Sequence, residues 1–221
     1  MALDSLPSPS NVRGAICAGA AVQPVRYDRW QARRPEDNGR QNAYNFRNER
    51  GQIFRLGQGH ATPNASCYLS PDSALVANAR SVTRRTPDEC APASVARIAA
   101  AKKRKVVHCW HIADASARLA VLAVQFVAID SNAVASLVVV GDSSLLFDDF
   151  PAVSNKVEGS TWRVDDGGVF SPGDIDVLFV AAMPYGFVMA TAWGGAEGES
   201  CALPGGVFRG LDKGYRYQAP M

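Results

Sequence analysis

The stretch LAVLAVQFVAIDSNAVASLVVV, residues 119–140, decides the fold class of this chain. It contains two apolar runs, 119–130 and 134–140, which are joined by the polar residues Ser131 and Asn132. Each run is apolar on both faces, a pattern that is typical of central strands covered on both sides. Gln125 and the polar joint would be costly in a lipid core, so the stretch predicts two strands and no membrane span.

Further along the chain, strand-like runs follow one another with short turns and without helical patterns between them. Residues 175–182 and 187–193 predict another hairpin. One helix is predicted, beginning at Pro92 and ending in the basic run 102–105, where cations complement the helix dipole. The sequence therefore predicts a mainly β protein, an antiparallel meander that forms a sandwich or a barrel, with one short helix.

The division of the chain is predicted from its composition. Residues 1–40 contain four prolines and read as an irregular N-terminal arm. Residues 41–221 are predicted to form a single mainly β domain. This length is enough to bury a substantial core without help from metals or disulfides.

The formal net charge of +2 conceals an uneven distribution. Residues 1–105 carry 17 Lys and Arg against 8 Asp and Glu, whereas residues 106–221 carry 6 against 13. Such asymmetry indicates either a basic arm that binds a polyanion or two halves that neutralise each other. The basic tracts at 80–85 and 102–105 lack interleaved aromatic residues and any nucleic-acid-binding motif, which argues against nucleic acid as the partner.

Five cysteines are spread along the chain without the tight spacing of a zinc site: Cys17, Cys67, Cys90, Cys109 and Cys201. They are compatible with two disulfides and one free thiol, or with five buried thiols in a reducing compartment. The Pro- and Ser-rich start at residues 6–10 is typical of a mature exported terminus. We therefore expect an exported protein, periplasmic or extracellular, with a cytoplasmic protein as the alternative.

The densest chemical cluster is His108-Cys109-Trp110-His111. Strict alternation along a strand places Val106, His108 and Trp110 on one face, and Cys109 and His111 on the other. A nucleophilic cysteine with a histidine base is one interpretation, and a disulfide-bonded or buried Cys109 beside packed histidines is the alternative. The candidates for such a catalytic pair are Cys67 or Cys109 with His60, His108 or His111.

A candidate serine lies in Gly141-Asp142-Ser143, directly after an apolar run. This segment resembles the GDS block of the GDSL hydrolases, in which a strand delivers a nucleophilic serine. That chemistry needs a histidine to accept the serine proton, and the family supplies it near the C-terminus. No histidine follows His111 here, so the sequence predicts a hairpin turn at Gly141 and Asp142 instead.

Carboxylates recur in pairs in the turns of the second half of the chain. Oxygen-rich loops bind calcium, and paired carboxylates can act as general acid and base. The calcium candidates are Asp165, Asp166, Asp174 and Asp176. Solvated turns are the alternative interpretation, because no EF-hand spacing is present, and no cofactor is predicted.

The absence of a triad, P-loop, Rossmann or metal motif in the sequence favours a noncatalytic exported domain, such as an inhibitor, that recognises a protein or glycan partner. Large aromatic side chains are the expected anchors of such a partner. The candidates are Trp30, Trp162, Trp193, Tyr215 and Tyr217. Two alternatives stay open: a hydrolase built on the Cys/His cluster or a carboxylate pair, and a structural subunit of a larger assembly of unknown oligomeric state.

Overall fold

Three antiparallel sheets make up most of the described chain in a computed structural model. The structure describes residues 8–17, 22–36, 50–57, 67–155, 159–161, 170–194, 198–202 and 213–217. The sheets are open rather than closed, so the sandwich predicted from the sequence is confirmed. Within the described ranges, no helix is long and apolar enough to cross a bilayer.

The second sheet contains the fold-deciding stretch and is a meander of six strands in the order β11-β10-β9-β8-β7-β6. Its strands are β6 (Thr83–Glu89), β7 (Val106–Ser116), β8 (Leu119–Phe126), β9 (Asn132–Val140), β10 (Leu145–Asn155) and β11 (Gly159–Thr161). The two apolar runs became β8 and β9, which contribute buried residues to the cores on both faces of this sheet. The prediction of doubly covered strands is therefore confirmed.

The third sheet packs against one face of the second sheet and has the order β15-β14-β13-β12-β5. Its strands are β5 (Ala79–Ser81), β12 (Ile175–Met183), β13 (Gly186–Gly194), β14 (Gly198–Ala202) and β15 (Lys213–Tyr217). The predicted hairpin is the β12–β13 pair. Val121, Leu137, Val180 and Met189 meet in the core between the two sheets, which we call the central core.

The first sheet has the order β3-β2-β1-β4 and comes largely from the segment predicted to be irregular. Its strands are β1 (Gly14–Cys17), β2 (Gln23–Gln31), β3 (Gly51–Leu56) and β4 (Cys67–Ser70). Two stretches of residues 1–40 are thus strands, although Pro24 lies inside β2. The alternation of Val25 and Tyr27 with arginines is the strand signal that the prolines concealed.

In the described residues, two helices cover the outer faces of the sheets, one more than the sequence analysis predicted. Helix α1 (Ser73–Asn78) begins where the Asp72 carboxylate accepts hydrogen bonds from the amides of Ala74 and Leu75. Its Leu75 packs with Ile16 and Phe179 in the core beneath the first sheet, which we call the outer core. Helix α2 (Pro92–Lys102) is the predicted helix, and its Ile98 packs on the free face of the second sheet.

Strand β6 forms one edge of the second sheet and is exposed along its whole length. It reads Thr83-Arg84-Arg85-Thr86-Pro87-Asp88-Glu89. Its pairing with β7 is interrupted between Arg84 and Asp88, where Pro87 lies. Proline has no amide to donate, so it is tolerated at an edge or a bulge of this kind.

The GDS segment forms a turn, as predicted. Gly141 donates its amide to the Ser144 carbonyl at 3.0 Å, and β9 and β10 pair on either side of the turn. A Cβ at Gly141 would lie 3.0 Å from the Phe187 ring, so the close approach favours glycine here. The Arg97 side chain of α2 donates to the Gly141 carbonyl at 2.6 Å and fastens this turn to the helix.

Candidate functional site

Four of the five cysteines form two disulfides, Cys17–Cys67 and Cys90–Cys109. Of the two interpretations of the cysteines, the structure therefore supports the disulfide framework. The thiolate is the nucleophilic form of cysteine, and neither Cys67 nor Cys109 has a free sulfur in this oxidised state. Cys67 and Cys109 therefore cannot act as nucleophiles while their disulfides are intact. The third candidate base, His60, lies outside the described residues.

The histidines of the cluster point in different directions, but the strand that carries them does not alternate strictly. Val106 pairs with Phe126 and His108 with Gln125, so Val107 is an extra residue in β7. This bulge turns Val106 to the side of Cys109, where both pack against the core beneath α2. The expectation that Val106 shares a face with Trp110 is therefore wrong, whereas His108 stacks on Trp110 with ring centroids 5.3 Å apart.

His111 takes part in an ion-pair network at the β6–β7 edge. Its Nε2 lies 2.8 Å from Asp114 Oδ1, and Arg85 Nη1 donates to Asp114 Oδ2 at 3.0 Å. Burial alone would raise the pKa of Asp114, but the hydrogen bonds from Arg85 and His111 outweigh burial and lower that pKa. The described partners of Asp114 in this network are Arg85 and His111. Neither is a serine or a free thiol, so we interpret the network as a structural set of ion pairs.

Asp114→Asn is expected to destabilise the protein at neutral pH, because Arg85 and His111 lose a carboxylate. A carboxyl with a lowered folded-state pKa stabilises the fold above its unfolded pKa, and this contribution is lost as the pH falls through the folded pKa. The difference in free energy of unfolding between wild type and variant should therefore shrink below about pH 4. Urea unfolding of both proteins at neutral and at acid pH measures this difference in the free energy of unfolding.

Asp142→Asn is the matched control for Asp114→Asn. Asp142 is exposed and lies 3.7 Å from Arg118, a long contact on the surface. Exposed pairs of this kind contribute little, so this variant should resemble wild type at every pH. A difference for Asp114→Asn that is the same in acid as at neutral pH would contradict a role for its charge.

A cleft of about 240 Å³ opens beside the Cys90–Cys109 disulfide. It is lined by Glu89, Cys90, Val95, Val106, Val107, His108, Cys109 and Trp110. Its lining contains one carboxylate and one histidine but no free thiol or hydroxyl group. The cleft is therefore smaller than most ligand sites, and Glu89 and His108 are the ionisable groups in its lining.

The carboxylates proposed as calcium ligands are not brought together in the described residues. Asp174 ends a short 3-10 turn (Pro172–Asp174), and Asp176 on β12 forms an ion pair with Arg84. No group of three or more His, Cys, Asp or Glu suited to a metal is present within the described ranges. Asp165 and Asp166 lie outside those ranges.

The aromatic residues proposed as anchors fall in three different settings. Trp193 is partly buried against the central core, where its ring lies 4.9 Å from Phe150 and 5.7 Å from Phe170, so only part of the side chain is exposed. Tyr215 and Tyr217 are on β15 at the edge of the third sheet, but their side chains are outside the described part. Trp162 also lies outside the described residues.

Trp30 is the candidate anchor that the structure places at the surface, with 56% of its area exposed. It lies on the two-stranded ribbon formed by β2 and β3, which we call the ribbon. No residue of either strand is buried. At about 3.3 Å per residue, the nine residues of β2 span about 30 Å.

A bulge at Asp28 sorts the side chains of the ribbon into two faces. Tyr27 pairs with Phe54, Arg29 with Ile53 and Trp30 with Gln52, so Asp28 is an extra residue in β2. Alternation along β3 then places Trp30 on the face of Phe54 and Tyr27. Without the bulge, Arg29 rather than Trp30 would join this face.

The aromatic face of the ribbon consists of Val25, Tyr27, Trp30, Phe54 and Leu56. Tyr27 and Phe54 meet edge to face, with ring centroids 5.8 Å apart. None of these five residues belongs to the cores identified in the described part of the chain. The face therefore lies outside these cores, with Trp30 as its exposed member and the other four side chains partly buried.

The opposite face of the ribbon carries arginines. Arg26 and Arg55 are directly across from each other, and Arg29 follows after the bulge. Asp28 accepts hydrogen bonds from Arg55 Nε at 2.8 Å and from Arg29 Nη1 at 2.5 Å. The bond from Arg55 is the main reason that the pKa of Asp28 is lowered, and Asp28 holds the two arginines Arg29 and Arg55 close together.

The cations of the first half of the chain pair differently in two segments. Arg84–Asp176, Arg85–Asp114 and Lys102–Asp149 are ion pairs that join the basic first half to the acidic second half. The ion pairs of Arg29 and Arg55 are made to Asp28 within the ribbon. The ribbon therefore retains a basic face, whereas the tract at 80–102 is largely neutralised by the fold.

Comparison of the chain with protein-family models, with curated proteins and with solved structures finds no match. The ribbon and the disulfides are therefore the features from which a function can be inferred. Sequence reasoning found Trp30 but missed Tyr27, Phe54 and Arg55. The signal was the apolar alternation of Val25 and Tyr27, and of Phe54 and Leu56, in two separate segments.

Proposed function

We propose that this protein is a noncatalytic binding domain that acts outside the cytoplasm and captures a protein partner with its ribbon. The observation that carries this proposal is the aromatic face of Tyr27, Trp30 and Phe54, which lies outside the three cores of the described residues. Trp30 is exposed and the neighbouring Tyr27 and Phe54 are partly exposed, and an apolar patch at the surface marks an interaction site. The ribbon would therefore be the docking element and the two packed sheets its support.

The composition of the ribbon favours a protein over a glycan as the partner. Protein interfaces are enriched in Tyr, Trp, Phe and Arg, and their energetic hot spots are mostly Trp, Tyr and Arg. The ribbon combines Trp30 and Tyr27 on one face with Arg26, Arg29 and Arg55 on the other. A partner that grips both faces would present an apolar groove with an acidic rim.

The two disulfides support a site of action in an oxidising compartment. Disulfides persist in secreted and periplasmic proteins and are rare in the cytosol. Cys17 and Cys67 are directly opposite each other on β1 and β4, at the root of the segment that contains the ribbon. The disulfide would hold that root in place while the ribbon engages a partner, and such preorganisation favours affinity.

Photo-cross-linking in the producing organism tests the docking role of the ribbon. A benzophenone side chain at Gln52, directly across from Trp30, should yield one heavier species, which mass spectrometry identifies through peptides of the partner. Trp30→Ala in the same chain should lower the cross-linking yield about tenfold, because hot-spot tryptophans carry much of the binding energy.

Tyr185 offers the matched control position for this experiment. Its side chain is 49% exposed, close to the 56% of Trp30, but it lies in the β12–β13 turn. Benzophenone at Tyr185 should not give the same species. An unchanged yield in Trp30→Ala, or the same species from both positions, would contradict docking through the ribbon, and an adduct that contains no foreign peptide would point to a glycan.

A further inference from the structure

Four aliphatic side chains are exposed together at one end of the second sheet. Val107, Val127, Ile129 and Val153 have 49%, 39%, 51% and 68% of their areas exposed. They are four of the seven large apolar side chains that are exposed in the described residues. We call this group the aliphatic end, and it is separate from the ribbon.

Backbone hydrogen bonds place the segments that carry these four side chains next to one another. The Val127 amide donates to the Lys105 carbonyl at 2.8 Å, which places the end of β8 beside the start of β7. Ile129 pairs with Asn132, and Asn132 pairs in turn with Val153 on β10. Val107 on β7, Val127 and Ile129 in the turn between β8 and β9, and Val153 on β10 therefore lie at the same end of the sheet, where neighbouring strands are about 4.8 Å apart.

Cations border the aliphatic end. Lys103, Arg104 and Lys105 follow helix α2 directly, and Arg104 donates to the Asn132 carbonyl and side chain at 3.3 and 3.2 Å. Within the described part of the chain, no carboxylate pairs with Lys103 or Lys105, both of which are exposed. Asp130 is the one carboxylate in the 127–131 turn, so cations predominate.

We propose that the aliphatic end docks this protein onto a bilayer that contains anionic phospholipids. Exposed aliphatic side chains at a sheet end can enter the boundary between headgroups and acyl chains, while neighbouring lysines and arginines attract anionic headgroups. The composition differs from that of a protein interface, which is enriched in aromatic residues and depleted of lysine. The ribbon has the opposite composition, so the two surfaces fit different partners.

Sedimentation with lipid vesicles tests this proposal. The wild-type protein should bind vesicles of phosphatidylcholine with about 30% phosphatidylglycerol and should not bind vesicles of phosphatidylcholine alone. Ile129→Ser with Val153→Ser should weaken binding about tenfold, because two inserted side chains are lost. Lys103→Glu with Lys105→Glu should weaken it at least as much.

Variants elsewhere on the surface separate this docking from nonspecific attraction. Leu69→Ser replaces an exposed leucine on β4, and Arg26→Glu with Arg50→Glu reverses two exposed charges of the first sheet and its flank. Both controls should bind anionic vesicles as the wild type does. The proposal is overturned if wild type fails to bind, if the serine variant binds fully, or if the Arg26 and Arg50 changes abolish binding.

Discussion

Replacing Cys17 and Cys67 with alanine is expected to lower the free energy of unfolding by about 4 kcal/mol. The disulfide joins residues that are 50 apart in sequence, and closing a loop of that length removes much entropy from the unfolded chain. The closed loop includes the entire ribbon. Equilibrium unfolding in urea under nonreducing conditions measures the loss, and the double variant avoids leaving an unpaired thiol.

The second disulfide provides an internal comparison. Cys90 and Cys109 are 19 residues apart, so replacing both with alanine should cost about 3 kcal/mol, less than the first pair. Titration of the unreduced, denatured wild type should find one free thiol, that of the remaining Cys201. Five free thiols, or two double variants that are as stable as wild type, would refute the disulfide framework.

Phe179→Ala is expected to lower the free energy of unfolding by about 3 to 5 kcal/mol. Phe179 is fully buried on β12 in the outer core, and its ring lies 5.7 Å from that of Tyr68 on β4. Truncation removes the apolar contacts and leaves a cavity between the third sheet and the first. Thermal and urea unfolding both report this loss.

Two further variants show whether the loss comes from packing between the sheets. Phe179→Leu retains much of the volume and should cost clearly less than Phe179→Ala. Val153→Ala truncates an exposed side chain of the aliphatic end and should change stability by about 0.5 kcal/mol or less. If Phe179→Ala were as mild as Val153→Ala, the first sheet would not depend on this core.

Much of the central sandwich could be predicted from the sequence because its strands are marked by uninterrupted apolar runs. The runs at 119–130 and 134–140 gave β8 and β9, and the turn at Met183-Pro184-Tyr185-Gly186 gave the β12–β13 hairpin. Pro92 and the basic run after it marked both ends of α2. In these segments the local signal and the tertiary packing agree.

The ribbon was harder to predict because its two faces depend on a bulge. Strict alternation from Val25 would place Arg29, rather than Trp30, beside Tyr27. The extra residue Asp28 reverses this order, and alternation alone carries no sign of it. Val107 in β7 has the same effect on Val106, so both surfaces proposed to bind partners lie next to positions where simple periodicity fails.

The pairing of the cysteines was also beyond the sequence. Spacing along the chain does not fix connectivity, because it depends on which strands become neighbours. Cys17 and Cys67 pair because β1 and β4 are adjacent, although the whole ribbon lies between them in sequence. Because Cys67 and Cys109 are both disulfide-bonded, neither can be the nucleophile that the sequence analysis considered.

The composition of strand β6 has a consequence for the behaviour of the protein at high concentration. An unpaired strand edge is a template on which another chain can add, and this is how fibrils and aggregates begin. Two adjacent arginines, a proline without an amide donor and two acidic residues make this edge a poor template. On this side of the second sheet, the composition of the edge therefore opposes edge-to-edge association.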